Sequence, residues 1–134
     1  MTQLRVAGYL TAAAVFVASA LLKLLDFSQT ADMFGAMLGV PDRFARLALA
    51  ALIALELGSA YLLIVWWRSR RALRTVTAVC VCFLLASVAL WIRGETNCGC
   101  FGAWVTITPL ETVVKNLLLT AAVLVPARMQ NDPI

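Results

Sequence analysis

Apolar residues dominate this chain in four long runs, separated by short polar segments. The runs cover about 4–25, 44–67, 75–92 and 112–127, and charges interrupt them sparingly: Arg5 and Lys23 near the ends of the first, Glu56 inside the second. A helix needs roughly 20 apolar residues to cross the hydrocarbon layer. Only helices and closed barrels can do so, because every backbone group must find a partner within the protein. The runs are continuous rather than alternating, which selects helices over barrel strands. The predicted architecture is all-α: a single domain over residues 1–134, folded as an integral membrane four-helix bundle. Ala18-Ser19-Ala20 has the small residues of a leader cleavage site, but the apolar run continues through Leu21, Leu22, Leu24 and Leu25, so a retained span is expected.

The polar segments set the predicted orientation. Arg68, Arg70, Arg71 and Arg74 fall between the second and third runs with no acid among them. Basic links stay in the cytoplasm, which puts both termini there too. The opposite face mixes Lys23, Arg43, Arg46, Arg93 and Lys115 with Asp26, Asp32, Asp42, Glu95 and Glu111. On that outer side the first link predicts a short interfacial helix between spans one and two. Ser28 can cap it, Met33, Phe34, Met37 and Leu38 share a face, Gly39 suits its end and Pro41 prevents its continuation. Asp42 can cap the second span.

Composition agrees with the bilayer as solvent. The chain of 134 residues is 63% hydrophobic and 13% charged, against about 45–50% and 25% in soluble domains. The net charge of +4 comes from basic residues split by apolar spans, so nucleic-acid binding is not expected. The absence of histidine excludes a histidine base or ligand.

The candidate chemistry centres on Asn97-Cys98-Gly99-Cys100-Phe101-Gly102, in the outer link between spans three and four. Two thiols separated by one glycine can close a small ring in an oxidising compartment. Such a bridge would be strained and exchange-competent. A static disulfide or idle thiols in a tight loop are the plainer reading. Two thiols without histidine do not make a structural zinc site. Cys80 and Cys82 sit two positions apart in span three, so they point to opposite faces and are expected to pack in the core.

Glu56 is an acid within a span, either a bundle-fixing hydrogen-bond partner or a proton site. Lys23 is one turn from Asp26, and reads as a snorkelling ion pair or as a cation tuning a thiolate. Lys115 and Asn116 open the fourth span, and with the cysteine loop they form a polar cluster at the outer surface. Trp91 and Trp104 suit the interfacial belt there.

Several of these features together resemble the MauE family of methylamine-utilisation membrane proteins, within the broader DoxX-like four-helix membrane proteins. The matching residues are Lys23-Leu24-Leu25-Asp26, Pro41, Glu56-Leu57-Gly58, Cys98-Gly99-Cys100-Phe101-Gly102 and Lys115-Asn116. Lys115 departs from the arginine more usual there, keeping the charge without the planar fork. The resemblance implies an inner-membrane protein that helps mature methylamine dehydrogenase, with a periplasmic thioredoxin-like partner. The leading expectation is therefore a thiol–disulfide oxidoreductase component in which Cys98 and Cys100 cycle, supported by Lys23, Asp26, Glu56, Lys115 and Asn116. A quinone acceptor is compatible with such a bundle, though no residue in the sequence demands one. Two other expectations stand beside it. One is a carrier of a soft metal such as Cu(I) or Hg(II), held by Cys98 and Cys100 and passed to Cys80 and Cys82. The other is a non-catalytic membrane scaffold with a static disulfide.

Overall fold

In the computed structural model the described residues are 2–96, 101–102 and 105–129. They form five helices and no strand: α1 Thr2–Leu25, α2 Phe27–Leu38, α3 Asp42–Val65, α4 Arg70–Ile92 and α5 Pro109–Met129. The chain is an all-α membrane protein. Helices α1, α3 and α4 are long and apolar enough to cross a bilayer. At about 1.5 Å per residue, the 21 residues of α5 also approach the thickness of the hydrocarbon.

Local chemistry explains the boundaries. Asp26 breaks α1 from α2 and caps α2, its carboxylate accepting from the Gln29 amide at 3.4 Å. The cap is therefore Asp26 and not Ser28, which lies inside the helix. Gly39 ends α2 in the left-handed conformation, and the amides of Gly39 and Val40 both donate to the Gly35 carbonyl. Pro41 then precedes α3, and Asp42 is the first helical residue rather than the cap, its carboxylate 3.0 Å from Arg46. Ser69 caps α4, so Arg70, Arg71 and Arg74 belong to that helix, which starts ahead of the apolar run. Helix α5 opens on a reciprocal capping box absent from the sequence reading: Thr108 Oγ1 accepts from the Glu111 amide at 3.3 Å, and Glu111 Oε2 accepts from the Thr108 amide at 3.0 Å.

The long helices form a ring in which α1 packs on α3 and α5, and α4 on α3 and α5. Small residues at the contacts let the backbones approach. Ala12, Ala13 and Phe16 of α1 meet Ala60 and Leu63 of α3, Val76 and Cys80 of α4, and Leu119 and Val123 of α5. The Ala18-Ser19-Ala20 stretch lies in unbroken helix, with Ser19 and Ala20 buried in the bundle. Leucine and isoleucine side chains such as Leu21, Leu47, Leu85, Ile92 and Leu118 cover the outside, as a lipid-facing surface requires.

Helix α2 lies outside the ring, antiparallel to the first half of α3. Ala31 packs with Leu49 and Ile53, and Gly35 approaches Ala45. One end of the bundle gathers Arg5, Arg68, Arg70, Arg71, Arg74 and Arg128, with no acid among its described residues. The other end carries α2, the α3 start and the turn leading to α5.

Candidate functional site

Ser19 and Lys23 are one turn apart on α1 and face α3, where Glu56 sits in the second half of the helix. Lys23 Nζ donates to Glu56 Oε1 at 2.8 Å and to Ser19 Oγ at 2.7 Å, and Ser19 Oγ donates to Glu56 Oε1 at 2.8 Å. The two charged side chains are 1% and 6% exposed. This corrects the reading of Lys23 as a snorkelling partner of Asp26: the lysine turns inward to Glu56, and Asp26 acts as a helix cap. The reason is the packing of α2 along α3. Helix α1 ends beside the interior of α3, so a residue near its terminus is still deep in the bundle.

The pairing leaves one atom over. Glu56 Oε2 is buried and has no hydrogen-bond partner among the described residues. A buried acceptor without a partner is uncommon and costly.

A second polar group joins α4 to α5. Asn116 Nδ2 donates to Ser87 Oγ at 2.6 Å and to the Phe83 carbonyl at 3.2 Å, while Ser87 Oγ also donates to that carbonyl at 2.6 Å. Lys115, the preceding residue, holds its ammonium 4.4 Å from the centre of the Phe101 ring. It makes no ion pair among the described residues.

Cys98 and Cys100 lie outside the described residues, as does Trp104, but Phe101 and Gly102 directly after the cysteines are described. Gly102 is buried with φ +79°, and a β-carbon there would sit 2.8 Å from the Leu22 carbonyl oxygen. Both the backbone conformation and the close approach require glycine. The end of the cysteine segment is thus seated on the last turn of α1, next to Lys23, with its aromatic ring under Lys115.

Between these groups lies a cavity of about 320 Å³. Lys23, Glu56, Ser87, Arg93, Lys115 and Asn116 supply its polar lining. Phe34, Met37 and Leu38 of α2, Leu52 of α3 and Leu90 of α4 supply the apolar one. The structure therefore brings Lys23, Glu56, Lys115 and Asn116 together and leaves Asp26 aside. The sequence reading missed Ser19 and Ser87. Ser19 had a signal in its position one turn before Lys23, and Ser87 had none until α4 and α5 were paired.

Cys80 is buried in the core, as expected, but Cys82 is exposed on the bundle exterior. Two positions apart within one helical turn, the two thiols point to nearly opposite faces. The described residues contain no cluster of three or more metal-ligating side chains.

Such an arrangement defines a class: a small helical membrane protein whose buried polar residues converge close to Phe101 and Gly102, the residues that follow the Cys98-Gly99-Cys100 motif in sequence. Comparison with known families makes this specific. The chain belongs to the family described as methylamine utilisation protein MauE, whose profile matches residues 2–128. It is thus a bacterial membrane protein of the methylamine-utilisation type. No curated protein and no solved structure matches it.

Proposed function

We propose that the protein is an inner-membrane thiol–disulfide exchange component that matures a methylamine-oxidising enzyme through a periplasmic thioredoxin-like partner. Cys98 and Cys100 are the exchanging pair. The observation that carries this reading is the seating of Phe101 and Gly102, next in sequence to Cys100, against Lys115 and the end of α1. A cation beside a thiol favours the thiolate, which is the attacking form.

The exchange balances without any other reactant. A partner thiolate attacks one sulfur of the Cys98–Cys100 disulfide, forming a mixed disulfide and releasing the other cysteine as thiolate. The partner's second thiolate then attacks the mixed disulfide. The partner leaves oxidised, and Cys98 and Cys100 remain as the dithiol, having gained two electrons. Run in reverse, the same steps reduce the partner.

The arginine-rich end is the cytoplasmic one in this reading. Helix α5 is the fourth span, both termini are cytoplasmic, and the cysteine turn is periplasmic. Cys80 is buried and Cys82 exposed, an arrangement that favours thiol exchange over a soft-metal carrier using them as a joint receiving pair.

Single-cysteine variants test the proposal. With one cysteine replaced, the other cannot be released from a mixed disulfide by its neighbour. Either Cys98→Ser or Cys100→Ser is expected to accumulate a reductant-sensitive adduct with a periplasmic protein on non-reducing gels, and the double variant to show none. No adduct in either single variant would count against exchange.

A further inference from the structure

We propose that the cavity lined by Glu56, Lys115 and Asn116 binds the head of a membrane-soluble quinone, which takes up the two electrons of the Cys98/Cys100 dithiol. The inference rests on the thiol-exchange reading above and supplies its electron acceptor.

Four observations carry it. The volume of about 320 Å³ is at the lower end for small-molecule sites, which suits a single ring rather than a folded cofactor. The lining is mostly apolar, from Phe34, Met37 and Leu38 of α2, Leu52 of α3 and Leu90 of α4, and α1, α3, α4 and α5 each bring polar side chains to it. Helices α2 and α4 both line the cavity but do not pack on each other, so the gap between them opens sideways, towards lipid. Finally, among the described residues the lining presents a buried acceptor without a hydrogen-bond partner and a cation without an ion pair. Glu56 Oε2 is buried with no partner among the described residues. Lys23 is neutralised by Glu56 and Arg93 lies 3.8 Å from Glu95, whereas the Lys115 ammonium on the cavity wall makes no ion pair among the described residues.

A fitting ligand must offer a carbonyl oxygen to Lys115 and, in its reduced form, a hydroxyl to Glu56 Oε2, on an apolar body that arrives through the bilayer. Quinone and quinol meet these requirements. The phosphate of an anionic lipid satisfies Lys115 but sets a negative group beside the open carboxylate oxygen. In the redox step the dithiol gives up two electrons and two protons and closes to the disulfide, while both carbonyl oxygens of the quinone become hydroxyls. Glu56 and Lys115 are the groups placed to hold the oxygens as they are protonated.

The test has a binding arm and an electron-transfer arm, both on the full chain in lipid nanodiscs. In the first, decylubiquinone is titrated into the Cys98→Ser, Cys100→Ser double variant, where no oxidation can occur. Saturable one-to-one binding is expected. It should weaken at least tenfold when Lys115→Met is added, and equally for Ala86→Phe, which fills the cavity from α4. The absence of saturable binding, or unchanged affinity in both added variants, would overturn the site. Saturable binding of phosphatidylglycerol that quinone fails to displace would make the cavity a lipid site and overturn it equally. In the second arm, anaerobically reduced wild-type protein is mixed with one equivalent of decylubiquinone. Matched loss of two thiols and appearance of quinol are expected, and Ala86→Phe should slow them at least tenfold. Quinone that binds without oxidising the thiols would overturn the acceptor role. Mixed disulfides with the partner, measured separately, report on thiol exchange itself, so failure of the quinone site leaves that reading standing.

Discussion

Replacing Glu56 with alanine is expected to destabilise the protein by about 3–5 kcal/mol, the range for removing one partner of a buried ion pair. The lysine left behind is 1% exposed, sits on the inward face of α1, and has Ser19 Oγ at 2.7 Å as a neutral partner. A hydroxyl cannot replace a carboxylate in compensating a desolvated ammonium. The cost should fall on the α1–α3 contact, because the pair joins those two helices. Exchanging both partners for apolar residues of similar volume, Lys23→Met with Glu56→Leu, removes the charges together and should recover most of the loss. Thermal unfolding of the three proteins in one detergent checks this. A single variant as stable as wild type, or a double variant no better than the single, would mean that the pair does not hold α1 to α3.

Gly102→Ala is the second large effect. A residue with a β-carbon in the left-handed region costs about 1–2 kcal/mol from conformation alone. Here the added carbon would also sit 2.8 Å from the Leu22 carbonyl oxygen, a backbone atom within a helix that has little room to yield. The turn should lift from α1 and carry Phe101 away from Lys115. The expected result is a loss of at least 1–2 kcal/mol in stability, together with a lower yield of the mixed disulfide formed by the single-cysteine variants. Gly58→Ala is the matched control. It lies in helical α3 with open space where its β-carbon would go, so alanine should be neutral or stabilise by about 1 kcal/mol. Equal behaviour of the two variants would show that the seat of Gly102 on α1 has no functional weight.

The helices were largely legible in the sequence because each apolar run is long and unbroken, and because Gly39 and Pro41 mark a stop and a start in chemistry that does not depend on context. The ends were less so. Thr108 and Glu111 form a capping box that extends α5 beyond its apolar run, and the arginines after Ser69 are helical although they are polar. The polar core was only half legible. Glu56 stands out as an acid in an apolar run, and Lys115-Asn116 as a pair at a span end, but the partner of Glu56 lies 33 residues away. Lys23 looked like a surface residue because the end of α1 was equated with the membrane surface. The sequence carries no sign that α2 runs on along α3 and leaves that lysine inside. Ser87 could not be linked to Asn116 until α4 and α5 were known to pack. Glycine at position 102 was visible, but the need for it comes from Leu22, which only the fold brings near.

The redox state of Cys98 and Cys100 in intact cells is the most direct measure of the central claim. Cells are quenched in acid, free thiols are tagged with a maleimide of defined mass, and the count is repeated after a pulse of membrane-permeant reductant, with Cys80→Ala and Cys82→Ala in the background to remove other thiols. A mixture of dithiol and disulfide that becomes reduced in the pulse and recovers its oxidised fraction afterwards is the predicted result. A pair that stays fully oxidised or fully reduced throughout would contradict thiol exchange and leave a static bridge or idle thiols in the turn.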